Sequence, residues 1–502
     1  MKDEMLRGPK LLLYYLGIFL MFLGGLLVLP LLGLLFYPGE ADETYCFVIP
    51  SAISVLTGYL IFFFLRGKPV THLERHQDAV LVVLIWIMSI LVSSTPFLLT
   101  GKYNFTQAVF EVTSGYTTTG LSVVDVANCS HIFLLYRTLT LFVGGVGFVL
   151  ILTSAISDKL SLNLYEAEGH NDKLLPNLAK SSRLIFGLYS GYILLGMILY
   201  LLCGMDAFDA FNHAIAAVST GGFSTRAGSI YEYHSLSIEL VTILLMLLGS
   251  TSFLVHICLI RGKFKDFFLH SETLFSFFLL VSTIAISATL LFLTGYEGEE
   301  NLALTAAFQM VSALTTTGFQ SVQSMSSLPH FFLGIMIILM LIGGGLGSTA
   351  GGIKQYRIIV CLKGIKNWIT GARNSKKIVH HVFIRKADSV NLLETKDYIE
   401  NYVFIALYLL FFVAGSFVFS CFGYSAEDSM FEFASCISTV GLSVGITGYY
   451  AHPLILWTAI LGMFFGRLEL LVVFESILSS FHALKGGIAQ CLRKARAKSK
   501  QN

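Results

Sequence analysis

Long uncharged runs alternate with short polar stretches from one end of this chain to the other. Ten runs, near 11–36, 47–65, 79–100, 138–157, 184–205, 240–260, 273–296, 328–353, 401–426 and 452–480, are apolar on every side of a helical period. A helix apolar all round belongs in lipid or deep inside protein, and these runs approach the ~20 residues that a membrane span takes. The pattern predicts an all-α polytopic membrane protein. The last run is interrupted by Arg467, Glu469 and Glu475. The first is too long for a secretory signal and lacks a small-residue cleavage site, so it is expected as a retained helix.

Between some of these runs lies a shorter pattern that repeats. Four glycine-centred segments recur: Thr118-Thr119-Gly120-Leu121-Ser122, Thr220-Gly221-Gly222-Phe223-Ser224, Thr316-Thr317-Gly318-Phe319-Gln320 and Thr439-Val440-Gly441-Leu442-Ser443. Their glycines are 102, 96 and 123 residues apart. Each follows a semi-polar stretch: 104–111, 207–214, 301–308 and 428–434. Such a stretch suits a re-entrant half-helix rather than a span. An Asp or Asn near each start is expected to cap the helix. The partly negative C-terminal end then faces the loop, which favours a cation.

The resulting organisation is two N-terminal helices plus four helix–pore-loop–helix repeats around a single pore, with pseudo-four-fold symmetry. The expected units are 1–70, a two-helix N-terminal unit; 71–160, with its loop at 117–122; 161–265, loop at 219–224; and 266–365, loop at 315–320 and a glycine stretch at 343–352. A basic cytoplasmic linker, 366–397, precedes the last unit, 398–502, with its loop at 438–443 and a cytoplasmic tail. Non-helical backbone at membrane depth is tolerated where it is buried in protein or lines a water-filled cavity. Four loops facing one axis meet that condition. The alternative is four ordinary extracellular turns, which four copies in register disfavour.

Charge distribution orients this plan. The net charge is only +2, but Lys and Arg cluster at 2–10, 66–75, 158–183, 261–265, 354–396 and 485–500. Acidic residues mark the intervening loops: Glu40, Asp42 and Glu43; Glu297, Glu299 and Glu300; Glu427 and Asp428. The positive-inside rule makes the basic loops and both termini cytoplasmic and puts the four Thr/Gly loops on the outer side of the cytoplasmic membrane. Charged residues are 13% of the chain, against ~25% in soluble domains.

The loop chemistry fits a cation. A dehydrated K⁺ needs several oxygens at once, and backbone carbonyls supply them without a fixed charge that would hold the ion too tightly. Consecutive inward carbonyls require torsions that Gly adopts without strain. The expected ion-binding residues are Thr118, Thr119 and Gly120; Thr220, Gly221 and Gly222; Thr316, Thr317 and Gly318; and Thr439, Val440 and Gly441. Gly221 and Val440 break the four-fold symmetry while keeping a carbonyl.

Two further features sit inside apolar runs. Residues 343–352 hold six glycines, Gly343, Gly344, Gly345, Gly347, Gly351 and Gly352. Each costs about 1 kcal/mol against Ala in a helix interior. The stretch is expected to break the eighth span as a loop able to block or open the pore. A small-residue packing face would instead space its glycines by four. Arg467 lies within the last run, where a charge is expensive and marks function; it is expected as a pore barrier, with an ion pair to Glu469 or Glu475 as the alternative. Lys354 and Arg357 follow the glycine stretch as interface anchors, or as a contact coupling it to a cytosolic partner. Segment 354–397 carries ten Lys/Arg against three Asp/Glu, suited to a regulatory subunit or anionic lipid. Arg493, Lys494, Arg496, Lys498 and Lys500 read as a solvated, lipid-facing tail.

These segments, in order, resemble the potassium-uptake superfamily of TrkH and KtrB, with plant HKT a distant relative. The Thr-x-Gly loops match its four filter loops. Gly144-Gly145-Val146-Gly147, the stretch Gly343 to Lys354, and Gly466-Arg467-Leu468-Glu469 are similar to its other signatures. The two extra N-terminal helices are most like the TrkH branch. The resemblance implies a homodimer with one pore per protomer, a gate at 343–352, Arg467 beneath the filter, and a cytosolic TrkA-like nucleotide-binding regulatory subunit. Some relatives with Ser in the first loop conduct Na⁺, so Gly120 implies K⁺.

An enzyme of this class would need acids or His/Asp pairs converging at one depth. Glu111, Arg137, Glu239 and Arg467 stand isolated in sequence, and His213, His256 and His270 lack metal-ligand spacing. Neither a covalent cofactor nor a nucleic-acid partner is expected, and nucleotide enters only through the regulatory subunit. The eight cysteines form no CxxC pattern. Cys46 and Cys129 fall on the outer side, where a disulfide could form. A K⁺/Na⁺ or K⁺/H⁺ symporter of the same fold remains the alternative to passive conduction.

Overall fold

The apolar runs become helices that surround a polar centre. The computed structural model describes residues 8–66, 77–147, 178–296, 298, 301–373, 382–385, 390–470, 473–474 and 476–477. The basic stretches at 2–7, 67–75, 158–177 and 485–500, Glu475 and part of the linker lie outside the described residues, as does 148–157 of the fourth run.

Pro9–Val28, prolonged by a 3-10 turn to Leu35, and Tyr45–Leu65 form an antiparallel pair. Small residues bring their backbones together: a methyl on Gly58 would lie 2.5 Å from the Gly17 carbonyl oxygen, and Ser51 donates to Gly24 O at 2.7 Å. The connecting turn reaches the first repeat through Glu40, which accepts from the backbone N–H of His131 and of Ile132 at 3.0 Å. That carboxylate caps the N-terminus of helix His131–Val146. Burial opposes its charge, yet hydrogen bonds from the His131 ring and the two N–H groups hold its pKa below the usual carboxylate value.

Each repeat then supplies a long helix, a short helix, a loop and a second helix. The long helices are Gln77–Leu99, Leu178–Leu202, Ser271–Leu293 and Thr395–Cys421. The short ones are Phe105–Tyr116, Ala207–Val218, Leu302–Leu314 and Ala426–Ile437. The second helices, His131–Val146, Leu236–Ser250, His330–Ile342 and Pro453–Arg467, all end early. Among the described residues six helices are long and apolar enough to span a membrane, and Leu236–Ser250 with Phe253–Ile260 makes a seventh, bent by 107°. The other three expected spans are short second helices. Close packing accompanies these endings: a methyl on Gly144, Gly249 or Gly466 would press on the carbonyl of Tyr116, Val218 or Ile437, at the foot of a short helix.

Among the described residues the one β-sheet is a hairpin in the linker. Phe383–Arg385 pairs antiparallel with Val390–Leu392, and Ile384 packs with Ile359 and Val360. Helix Gln355–Arg373 runs across the expected 365/366 boundary. The hairpin is too small to alter an all-α class. Cys46 and Cys129 are both free thiols.

Candidate functional site

The short helices are fixed at their starts. Asn104 accepts from Gln107 N at 3.0 Å, and the Gln107 side chain accepts from Asn104 N at 2.9 Å, a reciprocal box. Asp206 accepts from Phe208 N and Asn301 from Leu304 N. In the fourth repeat the cap is Ser425, whose hydroxyl accepts from Asp428 N; Asp428 accepts from that hydroxyl at 2.7 Å instead of capping. All four helices are amphipathic and run into their loops with C-terminal ends first.

There the chain turns the same way four times. Thr118, Thr220, Thr316 and Thr439 have φ of 54°, 52°, 52° and 50°, and Gly120, Gly222, Gly318 and Gly441 have φ of 93°, 62°, 85° and 101°. Positive φ is costly for a threonine and is sustained where the surroundings over-determine it. The loops close into a ring. A methyl on Gly120 would lie 2.4 Å from Gly221 O, one on Gly222 2.1 Å from Thr317 O, one on Gly318 2.0 Å from Val440 O, and one on Gly441 2.0 Å from Thr119 O. The order is first, second, third, fourth, first, and each glycine abuts the carbonyl just before the next loop's glycine.

Serines on the short helices support the turn. Gly120 N donates to Ser114 Oγ at 3.1 Å and Gly441 N to Ser435 Oγ at 2.9 Å, while Ser312 Oγ donates to Phe319 O at 2.7 Å. In the second repeat the corresponding residue is Ala216, whose carbonyl accepts from Gly221 N at 2.9 Å. The hydroxyl oxygens of Thr118 and Thr439 are buried without a hydrogen-bond partner among the described residues.

Beneath the ring lies the glycine stretch. Helix His330–Ile342 stops at Gly343 (φ 71°), and irregular backbone continues to Lys354. The stretch touches the loops directly. Gly351 N donates to Thr316 Oγ1 at 2.7 Å, and Thr349 Oγ1 lies 3.1 Å from Thr220 Oγ1 and 2.9 Å from Gly249 O. A methyl on Gly351 would lie 2.1 Å from Ser438 O. Gly345 N donates to Ser250 O at 3.0 Å and Leu346 N to Glu272 at 3.0 Å. Arg467 donates from Nη1 to Thr349 O at 2.7 Å and from Nη2 to Gly144 O.

Neighbouring charges differ from the sequence expectation. Glu469, a candidate partner of Arg467, accepts instead from Arg357 at 2.7 Å. The Arg357 guanidinium also lies 3.8 Å over the Phe404 ring, and Lys354 donates to Ala350 O. Both cations therefore bond within the protein, Arg357 to Glu469 and Lys354 to the end of the glycine stretch. Lys354, Arg467 and Glu469 border a cavity under the glycine stretch together with Gly147, Ser348 and Gly352.

Comparison with known proteins gives one answer. The family model described as TrkH, cation transport protein, matches residues 51–480. The chain is 31% identical to the Trk system potassium uptake protein TrkH of Halomonas elongata, covering 92% of this chain and 97% of that one. It is 30% identical to the Trk system potassium uptake protein TrkG of Escherichia coli, covering 78% and 82%. The chain belongs to the TrkH family of cation transport proteins. Its fold matches the crystal structure of the potassium transporter TrkH from Vibrio parahaemolyticus with a TM-score of 0.79, 23% identity, and coverage of 93% and 97%.

Membership in the TrkH family makes the chain a multi-pass membrane transport protein rather than an enzyme. The fold brings the four Thr/Gly segments and the glycine stretch together and sets Arg467 against the latter. It also pairs two residues that look isolated in sequence: Arg137 Nε donates to Glu111 Oε1 at 2.7 Å, and both are buried. The Arg137 guanidinium lies 4.0 Å over Phe223 of the second loop. Sequence reasoning misses this pair, which is 26 residues apart. Counting back from each loop glycine would have found Glu111 at the same register as Glu432.

Proposed function

We propose that this chain conducts K⁺ inward across the cytoplasmic membrane through the ring of loop carbonyls. The observation that carries the reading is the cyclic closure, in which each loop glycine meets the next loop's carbonyl around all four repeats. A closed ring of carbonyls replaces the hydration shell of a cation, and four helix C-termini add negative potential. The ion-binding residues are Thr118, Thr119, Gly120, Thr220, Gly221, Gly222, Thr316, Thr317, Gly318, Thr439, Val440 and Gly441.

Residues 343–352 form the gate, with Lys354 fastening its end and Arg467 acting as a cationic barrier and latch beneath the ring. Potassium is the ion because the relatives named for potassium uptake cover most of both chains and because Gly120 holds the first loop open where a side chain would intrude. The protein works as a homodimer with both termini in the cytoplasm and a TrkA-like nucleotide-binding subunit on its cytosolic face. The test is Rb⁺ uptake by liposomes containing purified protein under a K⁺ gradient alone. Uptake that saturates and is outcompeted by K⁺ but not Na⁺ supports the reading; no uptake from folded protein overturns it.

A further inference from the structure

Nine residues before each loop glycine stands a buried polar side chain: Glu111, His213, Gln309 and Glu432. Each reaches across to the irregular segment that leaves its loop. Glu111 accepts from Val123 N at 2.9 Å and from Ser122 Oγ at 3.0 Å. The His213 ring Nε2 is 2.9 Å from Ser224 Oγ, and Gln309 Nε2 donates to Ser321 Oγ at 3.4 Å. Glu432 accepts from Ser443 Oγ at 2.7 Å, Val444 N at 2.9 Å, Thr447 N at 2.9 Å and the Thr447 hydroxyl. The same mechanical task is thus done at four places by three kinds of side chain.

Their charges are not equivalent. Glu111 faces Arg137, so its charge is cancelled where it sits. His213 and Gln309 brace without a carboxylate. Glu432 is fully buried, and the donors that hold it are hydroxyls and backbone N–H groups. A buried carboxylate is expensive, and Gln309 shows that an amide can occupy this position. The charge therefore needs a reason beyond bracing. The ring carbonyls carry no formal charge, and a fixed charge in a low-dielectric wall acts strongly on an ion nearby.

Resting on the proposed conduction pathway, we infer that Glu432 is a specificity-determining positioning residue: it fastens the exit of the fourth loop and sets a fixed negative charge on that side of the ring, drawing monovalent cations into it. The first loop, with its neutralised Glu111, has no such pull. Cation attraction is accordingly polarised toward the fourth repeat.

The experiment is Rb⁺ influx into proteoliposomes at graded external concentration. Glu432→Gln should raise the half-saturating concentration by about fivefold, roughly 1 kcal/mol of cation binding. The maximal rate should stay within about twofold, because ground-state attraction is what has been removed. Glu432→Asp, which keeps the charge, should restore most of the affinity. Gln309→Glu, which adds a carboxylate at the equivalent place in the third repeat, should lower the half-saturating concentration; it also provides a test if Glu432→Gln does not fold. An unchanged half-saturating concentration in the folded variants overturns the inference, as does a fall in maximal rate alone, which marks a purely structural brace. Unmodified protein with no Rb⁺ influx defeats the conduction reading itself; unmodified protein that conducts, with Glu432→Gln indistinguishable from it, defeats only this inference.

Discussion

Gly120 meets two demands at once. Its φ of 93° disfavours any side chain, and a Cβ there would sit 2.4 Å from Gly221 O. Gly120→Ser must therefore shift the second loop's carbonyl or its own torsions, at a cost of about 1–3 kcal/mol for the strained residue. We expect weaker K⁺/Na⁺ discrimination, read as a reversal potential in mixed K⁺ and Na⁺; an unchanged potential refutes the assignment of this ring as the filter. The Glu111–Arg137 pair makes a different forecast. Removing one member of a buried pair leaves an uncompensated charge, worth about 3–5 kcal/mol. Arg137→Met should markedly lower the thermal midpoint in detergent, and Glu111→Gln with Arg137→Met should recover much of it. A double variant as unstable as the single one contradicts this account. At this scale the glycines were legible because they recur in a short motif. The braces were not, because Glu111, His213, Gln309 and Glu432 share a register while only the first and last share a chemistry, and a single position of mixed type does not register as a repeat.

The four second helices explain why the apolar runs and the helices disagree. Runs 138–157 and 240–260 read as continuous spans, since apolar residues look alike in helix and in irregular backbone, whereas 328–353 and 452–480 read as spans broken by glycines and by Arg467, Glu469 and Glu475. The structure ends those helices at Val146, Ile342 and Arg467, and bends the run 240–260 at Thr251 and Ser252. Gly343–Gly352 declared its break through glycine density, and the last run declared its own through the charges from Arg467 onward. The half-helices were legible from their length, and three of their four caps were of the expected Asp or Asn type; the fourth shifted to Ser425 because Ser425, three residues earlier, already occupies the cap position and Asp428 falls inside the first turn. The broken third-repeat element carries its own prediction. The stretch is tied to Thr220, Thr316, Gly249 and Ser250, each bond contributing about 0.5–1.5 kcal/mol net. Deleting 344–351 removes all of them and the obstruction together, so Rb⁺ flux should rise well above that of the unmodified protein. Flux that stays level in a folded deletion variant ends the gate proposal. Thr349→Val is the gentler case: it abolishes the hydroxyl contacts to Gly249 and Thr220 without shortening the chain, and should raise flux less.

At the scale of the whole molecule, repeat order becomes ring order. Four units close so that the fourth loop meets the first, which the sequence implied by symmetry but could not place in space. Closure also depends on a connection that no motif spelled out. Arg467 ends the second helix of the fourth repeat, yet its guanidinium holds Thr349 O of the third repeat and Gly144 O of the first. Three of the four repeats are thus joined beneath the ring by one side chain, whose fork can serve two carbonyls at once while an ammonium on a flexible stem is a single point charge. Hydrogen bonds to a charged group contribute about 1.5–3 kcal/mol each, and about 1.4 kcal/mol corresponds to a tenfold change in an equilibrium. If the closed arrangement dominates, Arg467→Ala should raise basal Rb⁺ flux by about tenfold or more, since both the latch and the positive charge are gone. Arg467→Lys separates the two contributions. It keeps the charge and loses the fork, so a flux midway between Ala and the unmodified protein means that latch and barrier both act, and a flux equal to the unmodified protein means that charge alone blocks the path. Folded Arg467→Ala protein with unaltered flux would remove Arg467 from the conduction pathway altogether and leave it a structural tie between repeats.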